Sequence, residues 1–260
     1  MANKIYDNFV LANEIEDQYK SRLDLIRFCT IDNSLTGAAG MLKKINVYSA
    51  TDGVEKLGMG EGNSKYIETT FAPQEYRIQL AQGQFRYFDE ELMTDPTAVE
   101  TGIRHLTTDM FNTINADIFA EFNKATLAVE ASAPDFAAFA DMGAKLNVEN
   151  LEGIEKFAFV SPADMAKVRK ALKDELKYVE AFAKGGYVGT VAGWNLYTKK
   201  DAVAGTIVGG TREAVTLFNK KGTEVEQDRD IDKRRNDVVA RKYYVAALTD
   251  YTKAVKLTIA

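Results

Sequence analysis

The sequence predicts an α+β protein with one long helix and at least one part that cannot fold on itself. Three observations carry this. The run "MTDPTAVETGIRHLTTDMFNTINADIFAEFNKAT" keeps one apolar face for more turns than a globular helix usually has. Two strand-patterned runs flank the polar, glycine-rich "TDGVEKLGMGEGNSK", and a hairpin with so long a tip has no core of its own. The last third reads as strands and turns after a mixed middle, which implies that the end of the chain returns to the early part of the fold.

The bulk numbers bound the class and little else. A chain of 260 residues fits one large domain or two modest ones. Its 46% hydrophobic and 27% charged content is ordinary for a soluble protein. No apolar run approaches the ~20 residues of a membrane span. The start, "MANKIYDNFVLANEIEDQYK", carries acids where a signal peptide would be basic and then apolar, so no secretion is expected. Cys29 is the sole cysteine, which excludes an internal disulfide and reads as a small buried hydrophobe. A net charge of −5 argues against gripping nucleic acid phosphates.

Each element follows in order. Between residues 8 and 28, Phe9, Ala12, Ile15, Tyr19, Leu23 and Ile26 form a helical stripe, opposed by Glu14, Asp17, Lys20 and Asp24. This predicts an amphipathic arm for docking. "MLKKINVYSA" is a strand, and in the return "YIETTFAPQEYRIQLAQGQFRYFDE" Tyr76, Ile78 and Leu80 alternate with Arg77 and Gln79. Asp95 then caps a helix with Pro96 in its first position. Val99, Ile103, Leu106, Met110, Ile114, Ile118 and Phe122 mark its buried face, and a helix to about Lys124 runs roughly 40 Å. "PDFAAFADMGAKL" is a short helix, "EKFAFVS" a buried strand, and "SPADMAKVRKALKD" a helix capped by Ser161. "GGYVGTVAGWNLYTKK", "GTIVGG" and "AVTLFNKKGTEVEQ" are strand and turn units. Two β-rich runs follow, divided near Thr249 and Asp250.

Catalytic chemistry is thinly supplied. His105 is the only histidine and lies within the long helix pattern, where a solvated or partner-facing side chain is the plain reading. HExxH, GxSxG, the zinc spacings and the phosphate loop are absent. "GMGEGN" is not the dinucleotide fingerprint, and no helix pattern follows it. Asp89, Glu90 and Glu91 are adjacent carboxylates without a visible pocket. No enzyme, metal or organic cofactor is expected.

"EVEQDRDIDKRRND" has an acid at every second position from Glu224 to Asp232, then Lys233, Arg234 and Arg235. Asp228, Asp230 and Asp232 match the start of a calcium loop, but Lys233 and Val239 stand where that loop needs Gly and Glu. Starting at Glu226 puts Ile231 and Asp237 there instead. Alternation at the strand period projects all five acids from one face. A lone strand of that kind needs solvent or a basic partner, so the row is either a solvated segment or an intersubunit strip.

This order of parts resembles the major capsid protein of tailed bacteriophages, the Hong Kong phage capsid fold shared with encapsulin shells. The likeness spans nearly the whole chain and is most specific from Gly189 to Ala260, in "VGTVAGWNLYTKKDAVAGTIVGGTREAVTLFNKKGTEVEQDRD" and "RRNDVVARKYYVAALTDYTKAVKLTIA". It implies an N-terminal arm and lead-in strand over 1–45 and an extended β-hairpin loop over 46–74. It also implies a peripheral domain with the spine helix over 75–128 and 236–260, and an axial domain over 129–235. Phe9, Ile15 and Tyr19 in the arm become subunit-interface candidates, with Lys56, Glu61 and Lys65 in the loop and Asp228, Asp230, Arg234 and Arg235 in the charge row.

The resemblance implies pentamers and hexamers of this chain closing into an icosahedral virion shell around double-stranded DNA, without sequence-specific contacts. It implies scaffold, portal and packaging partners, assembly in the bacterial cytoplasm, and no membrane. Some such capsids link a loop lysine to an asparagine; Lys56, Lys65 and Asn236 are of the right type, but no local motif marks the reaction. The alternatives are an encapsulin-like nanocompartment shell, disfavoured by the pronounced arm, and an uncharacterised enzyme.

Overall fold

The computed structural model describes residues 21–37, 39–149, 154–176 and 189–259. The proposed arm residues Phe9, Ile15 and Tyr19 lie outside these ranges. The described chain runs β1 (Thr30–Asp32), β2 (Leu42–Ala50), β3 (Thr69–Arg77), β4 (Gln79–Phe88), α1 (Asp89–Thr94) and α2 (Pro96–Phe122). It continues through β5 (Leu127–Ala131), α3 (Phe136–Leu146), β6 (Lys156–Val160), α4 (Pro162–Ala171) and α5 (Lys173–Leu176). Strands β7 (Thr190–Val191), β8 (Trp194–Thr198), β9 (Thr206–Thr211), β10 (Val215–Asp230), β11 (Arg235–Leu248) and β12 (Ala254–Ile259) complete it.

Three sheets result. One has the order β1-β10-β11-β4, a second β5-β12-β9-β6-β8-β7, and β2 pairs with β3 alone. The return expected of the chain's end is made by β11, which lies antiparallel to β4 from Arg235 opposite Phe88 to Tyr244 opposite Gln79. β12 goes elsewhere, pairing parallel to β5 and antiparallel to β9. The sheets therefore do not divide the chain at 235/236: that point falls at the turn of the β10–β11 hairpin, and β12 belongs with β5 to β9.

The spine helix α2 packs on the four-stranded sheet. Its cap is Asp95, whose carboxylate accepts the Thr97 N–H at 3.0 Å. Val99, Leu106, Met110, Ile114, Ile118 and Phe122 are buried as the period requires, whereas Ile103 stays largely exposed. Two glycines let helix and sheet approach. A Cβ on Gly102 would lie 2.2 Å from the Phe85 ring, and one on Gly83 2.4 Å from the end of Leu106. Polar ties fix the helix further: the Tyr244 hydroxyl donates to Asp117 at 2.6 Å, and the Leu248 N–H donates to Glu121 at 3.2 Å.

The six-stranded sheet is covered on its other face by α3 and α4, around the fully buried Trp194. The indole N–H donates to the Phe139 carbonyl at 2.9 Å, joining β8 to α3. Ser161 caps α4 by accepting the Asp164 N–H, and the buried Asp164 carboxylate accepts the Gly205 N–H at 2.7 Å.

Two expectations need correction. The arm helix does not run through residues 21–28: there the described chain has no regular structure up to Asp24 and then a 3₁₀ turn at Leu25–Phe28. The cause is the buried Asn115 of α2, whose amide accepts the Leu25 N–H at 3.0 Å and donates to the Leu23 carbonyl at 3.2 Å, claiming groups a helix would need. Leu25, not Leu23 or Ile26, is the fully buried residue. The alternation Tyr76–Ile78–Leu80 also breaks. Ile78 is buried, but Leu80 is exposed, because β4 starts a new inward phase at Ala81, Gly83, Phe85 and Tyr87. The slip falls where the strand leaves the two-stranded hairpin for the four-stranded sheet.

Candidate assembly surfaces

The base of the β2–β3 hairpin packs on the four-stranded sheet, where Ile45 and Tyr76 join Ile78, Phe218 and Ala247 in a third apolar cluster. The hairpin ladder runs from Leu42 opposite Arg77 to Ala50 opposite Thr69, and one more bond, Thr51 N–H to the Glu68 carbonyl at 3.0 Å, carries it into the loop. The tip is held by its own polar groups. Glu61 accepts the Gly58 N–H at 2.8 Å, and Glu55 accepts both the N–H and the hydroxyl of Ser64 at 2.8 Å. Those Ser64 donors hold the Glu55 carboxyl below its ordinary range. Gly60 is left-handed (φ +86°) in the turn, which needs a residue without a Cβ.

Of the loop candidates, Glu61 thus ties its own turn, Lys65 pairs weakly with Glu55 at 4.0 Å, and Lys56 is exposed without an ion pair among the described residues. What sequence reading passed over is the apolar load. Met59 is fully exposed, Val54 is 89% and Tyr66 81% exposed, and Ile67 and Phe71 are also open. These apolar side chains are exposed together on one hairpin.

The charge row is not a lone strand. From Glu224 to Asp230, β10 pairs with β11, while β1 covers only Thr216–Phe218 on its other side. Among the described residues the distal half of β10 is therefore a sheet edge, and charged side chains are how such edges resist stray pairing. Residues on the second face turn inward to their own chain. Gln227 donates to the Tyr87 hydroxyl at 3.0 Å and to Asn236, and Arg229 pairs with Asp89 at 2.8 Å.

The basic cluster is likewise engaged within the chain. Arg234 pairs with Glu90 at 3.0 Å, and Arg235 with Asp237 at 3.0 Å and Asp230 at 3.8 Å. Asp230 also accepts the Lys233 N–H at 3.2 Å, closing the hairpin turn. Asp228, opposite Asp237, has no ion pair among the described residues. The residues missed are Asp89 and Glu90, which had looked like carboxylates without a pocket. They open α1 directly after β4, and the β4–β11 pairing brings them to the basic cluster. Asn236 is buried, donating to Asp89 at 2.8 Å and accepting from Gln227, so it is closed to a loop lysine.

His105 is exposed on α2. Among the described residues no group of three or more His, Cys, Asp or Glu could hold a metal, and no helix is long and apolar enough to cross a membrane. A recess of about 880 Å³ between the N-terminal turn and β6, β8 and β9 offsets Arg22, Arg27 and Arg212 with Asp24, Glu155 and Glu213.

Comparison with known proteins supplies the identity. The family model described as phage capsid protein matches residues 73–257. The major capsid protein of Staphylococcus phage phiMR11 is 25% identical, covering 96% of this chain and 92% of that one. The capsid of cyanophage P-SCSP1u aligns with a TM-score of 0.70 at 11% identity, over 100% of this chain and 92% of that one. The virus-like particle from Pyrococcus furiosus aligns at 0.59 and 10% identity, over 95% of each chain. At such identities the structural likeness shows the fold, and the sequence matches decide for the phage over the nanocompartment. With the family model matching most of its length, the chain belongs to the phage capsid protein family and is a major capsid protein of a phage.

Proposed function

We propose that copies of this chain, as pentamers and hexamers, close into an icosahedral shell around a double-stranded DNA genome, with no catalytic step of their own. The observation that carries this is the β2–β3 hairpin. A strand pair nine residues long with exposed apolar side chains has no stable place in water alone. Its tip lies well away from the four-stranded sheet on which its base sits, so a tip resting on a neighbour joins unlike surfaces. Contacts of that head-to-tail kind close into rings when the rotation fits.

The net charge of −5 suits a container, since tight phosphate binding would hold the genome to the wall. Scaffold, portal and packaging proteins as partners, and assembly in the bacterial cytoplasm, are part of this proposal. Hydrogen exchange tests it. Thr51–Lys65 should exchange fast in isolated subunits and slowly in shells, because ordering this loop is entropically costly until it gains a partner. Equal exchange in both states would contradict the proposal.

A further inference from the structure

The six-stranded sheet meets the spine helix through aromatic rings. Phe119 and Phe122 of α2 stand edge-on to Phe159, with centroids 6.1 and 5.6 Å apart. Phe122 also meets Phe157 at 5.6 Å, and Phe28 contacts Phe157, Phe159 and Tyr197 at 4.8, 5.2 and 4.7 Å. Ring pairs of this kind attract over a range of offsets and tilts. They hold the two bodies together without setting one angle between them.

At the border of these rings lies a charge. Lys199, directly after β8, is fully buried. Its ammonium pairs with the Asp201 carboxylate and lies 4.8 Å from the centroid of Phe119. Its backbone is fixed to the six-stranded sheet, because its N–H donates to the Val160 carbonyl at 2.9 Å and its carbonyl accepts the Ala202 N–H at 3.2 Å. The residue is thus anchored to the sheet by its backbone and to the spine helix by the end of its side chain. An ammonium removed from water tolerates little displacement, since losing either the carboxylate or the ring leaves it uncompensated.

We propose that Lys199 sets the angle between the six-stranded sheet and the spine helix, and through it the curvature at which copies of the chain meet. This rests on the shell-forming reading above. The rings supply attraction at many settings, and the ammonium is satisfied by Asp201 and Phe119 together in only one. In a closed shell every copy must hold nearly that setting, because an angular error repeated in each copy alters closure. Fixing a register is the best-attested use of buried polar groups. Because the Asp201 side chain is 32% exposed, an apolar side chain at position 199 leaves that carboxylate in water instead of stranding it in the core. Folding and angle setting are therefore separable by mutation.

The test compares Lys199→Met, Lys199→Arg and Phe119→Leu with the wild type, by particle diameters from electron microscopy and by melting temperature. Wild-type protein should give one diameter. Lys199→Met should melt no lower yet give several diameters or unclosed sheets. Phe119→Leu should broaden the distribution in the same way, and Lys199→Arg, which keeps a cation at the ring, should narrow it again. Uniform wild-type-sized shells from Lys199→Met or Phe119→Leu would overturn the inference. Loss of folded protein in Lys199→Met would assign the residue to folding and overturn it too. Wild-type protein that forms no shells contradicts the underlying reading, and this inference with it.

Discussion

Asp228 stands directly across the β10–β11 ladder from Asp237, and the Arg86 guanidinium lies 2.6 Å from the Asp237 carboxylate. Like charges facing one another across a ladder are unfavourable. Arg86 from β4 and Arg235 from β11 make the pair tolerable by holding one of the two acids in an ion-pair row.

That row makes acid stability the first prediction. The Arg86 hydrogen bond, with Arg235 beside it, holds Asp237 below the usual carboxylate range, and Arg229 with Asn236 does the same for Asp89. A depressed folded-state pKa contributes stability that is complete above the unfolded value of about 3.9 and is lost as pH falls through the folded value. Calorimetry should therefore show little dependence from these groups at neutral pH and a decline below about pH 4. Asp237→Asn should shallow that acid limb, and an identical limb in the variant would contradict the assignment.

Arg234 and Arg235 should separate. Arg234 is exposed and left-handed (φ +50°), with one surface pair to Glu90. Such a pair contributes about 0–1 kcal/mol, so Arg234→Glu should leave the melting temperature nearly unchanged while lowering the yield of closed shells. Normal shells would reduce the row to a solvated edge. Arg235 lies between Asp237 and Asp230 with its side chain only 23% exposed. Arg235→Glu would crowd three acids and should lower the melting temperature on its own.

Gly102 should not accept alanine. Helix propensity favours Ala over Gly by about 1 kcal/mol, but overpacking against a ring costs about 1–3 kcal/mol. A Cβ there would sit 2.2 Å from the Phe85 ring, so Gly102→Ala should destabilise the chain by up to about 2 kcal/mol in urea unfolding. In a Phe85→Leu background the same change should cost less. An equal cost in both backgrounds would show that the ring is not the obstacle.

The spine helix was legible because its period, its Asp95 cap and Pro96 agree, and β6, α4 and β9 carry similarly local signals. The N-terminal stripe misled at residues 21–28 because the deciding partner, Asn115, lies some 90 residues away in sequence and has no local trace. Short β1, β5 and α1 were missed for the same reason, since each is completed by a distant strand or side chain. The charge row's alternation was real, but its partners Asp89, Glu90 and Arg86 become visible only once β4 is known to lie beside β11. Lys199 reads in sequence as one more lysine after a strand, and only packing against Phe119 distinguishes it.

The central claim is that the β2–β3 hairpin finishes its burial on another copy of this chain within a closed shell. Electron microscopy of the purified protein under assembly conditions tests it most directly. The account predicts closed icosahedral particles in which Met59 and Tyr66 of each copy lie against a neighbouring subunit. Protein that stays monomeric under every condition, or shells whose hairpins project free into solvent, would contradict it.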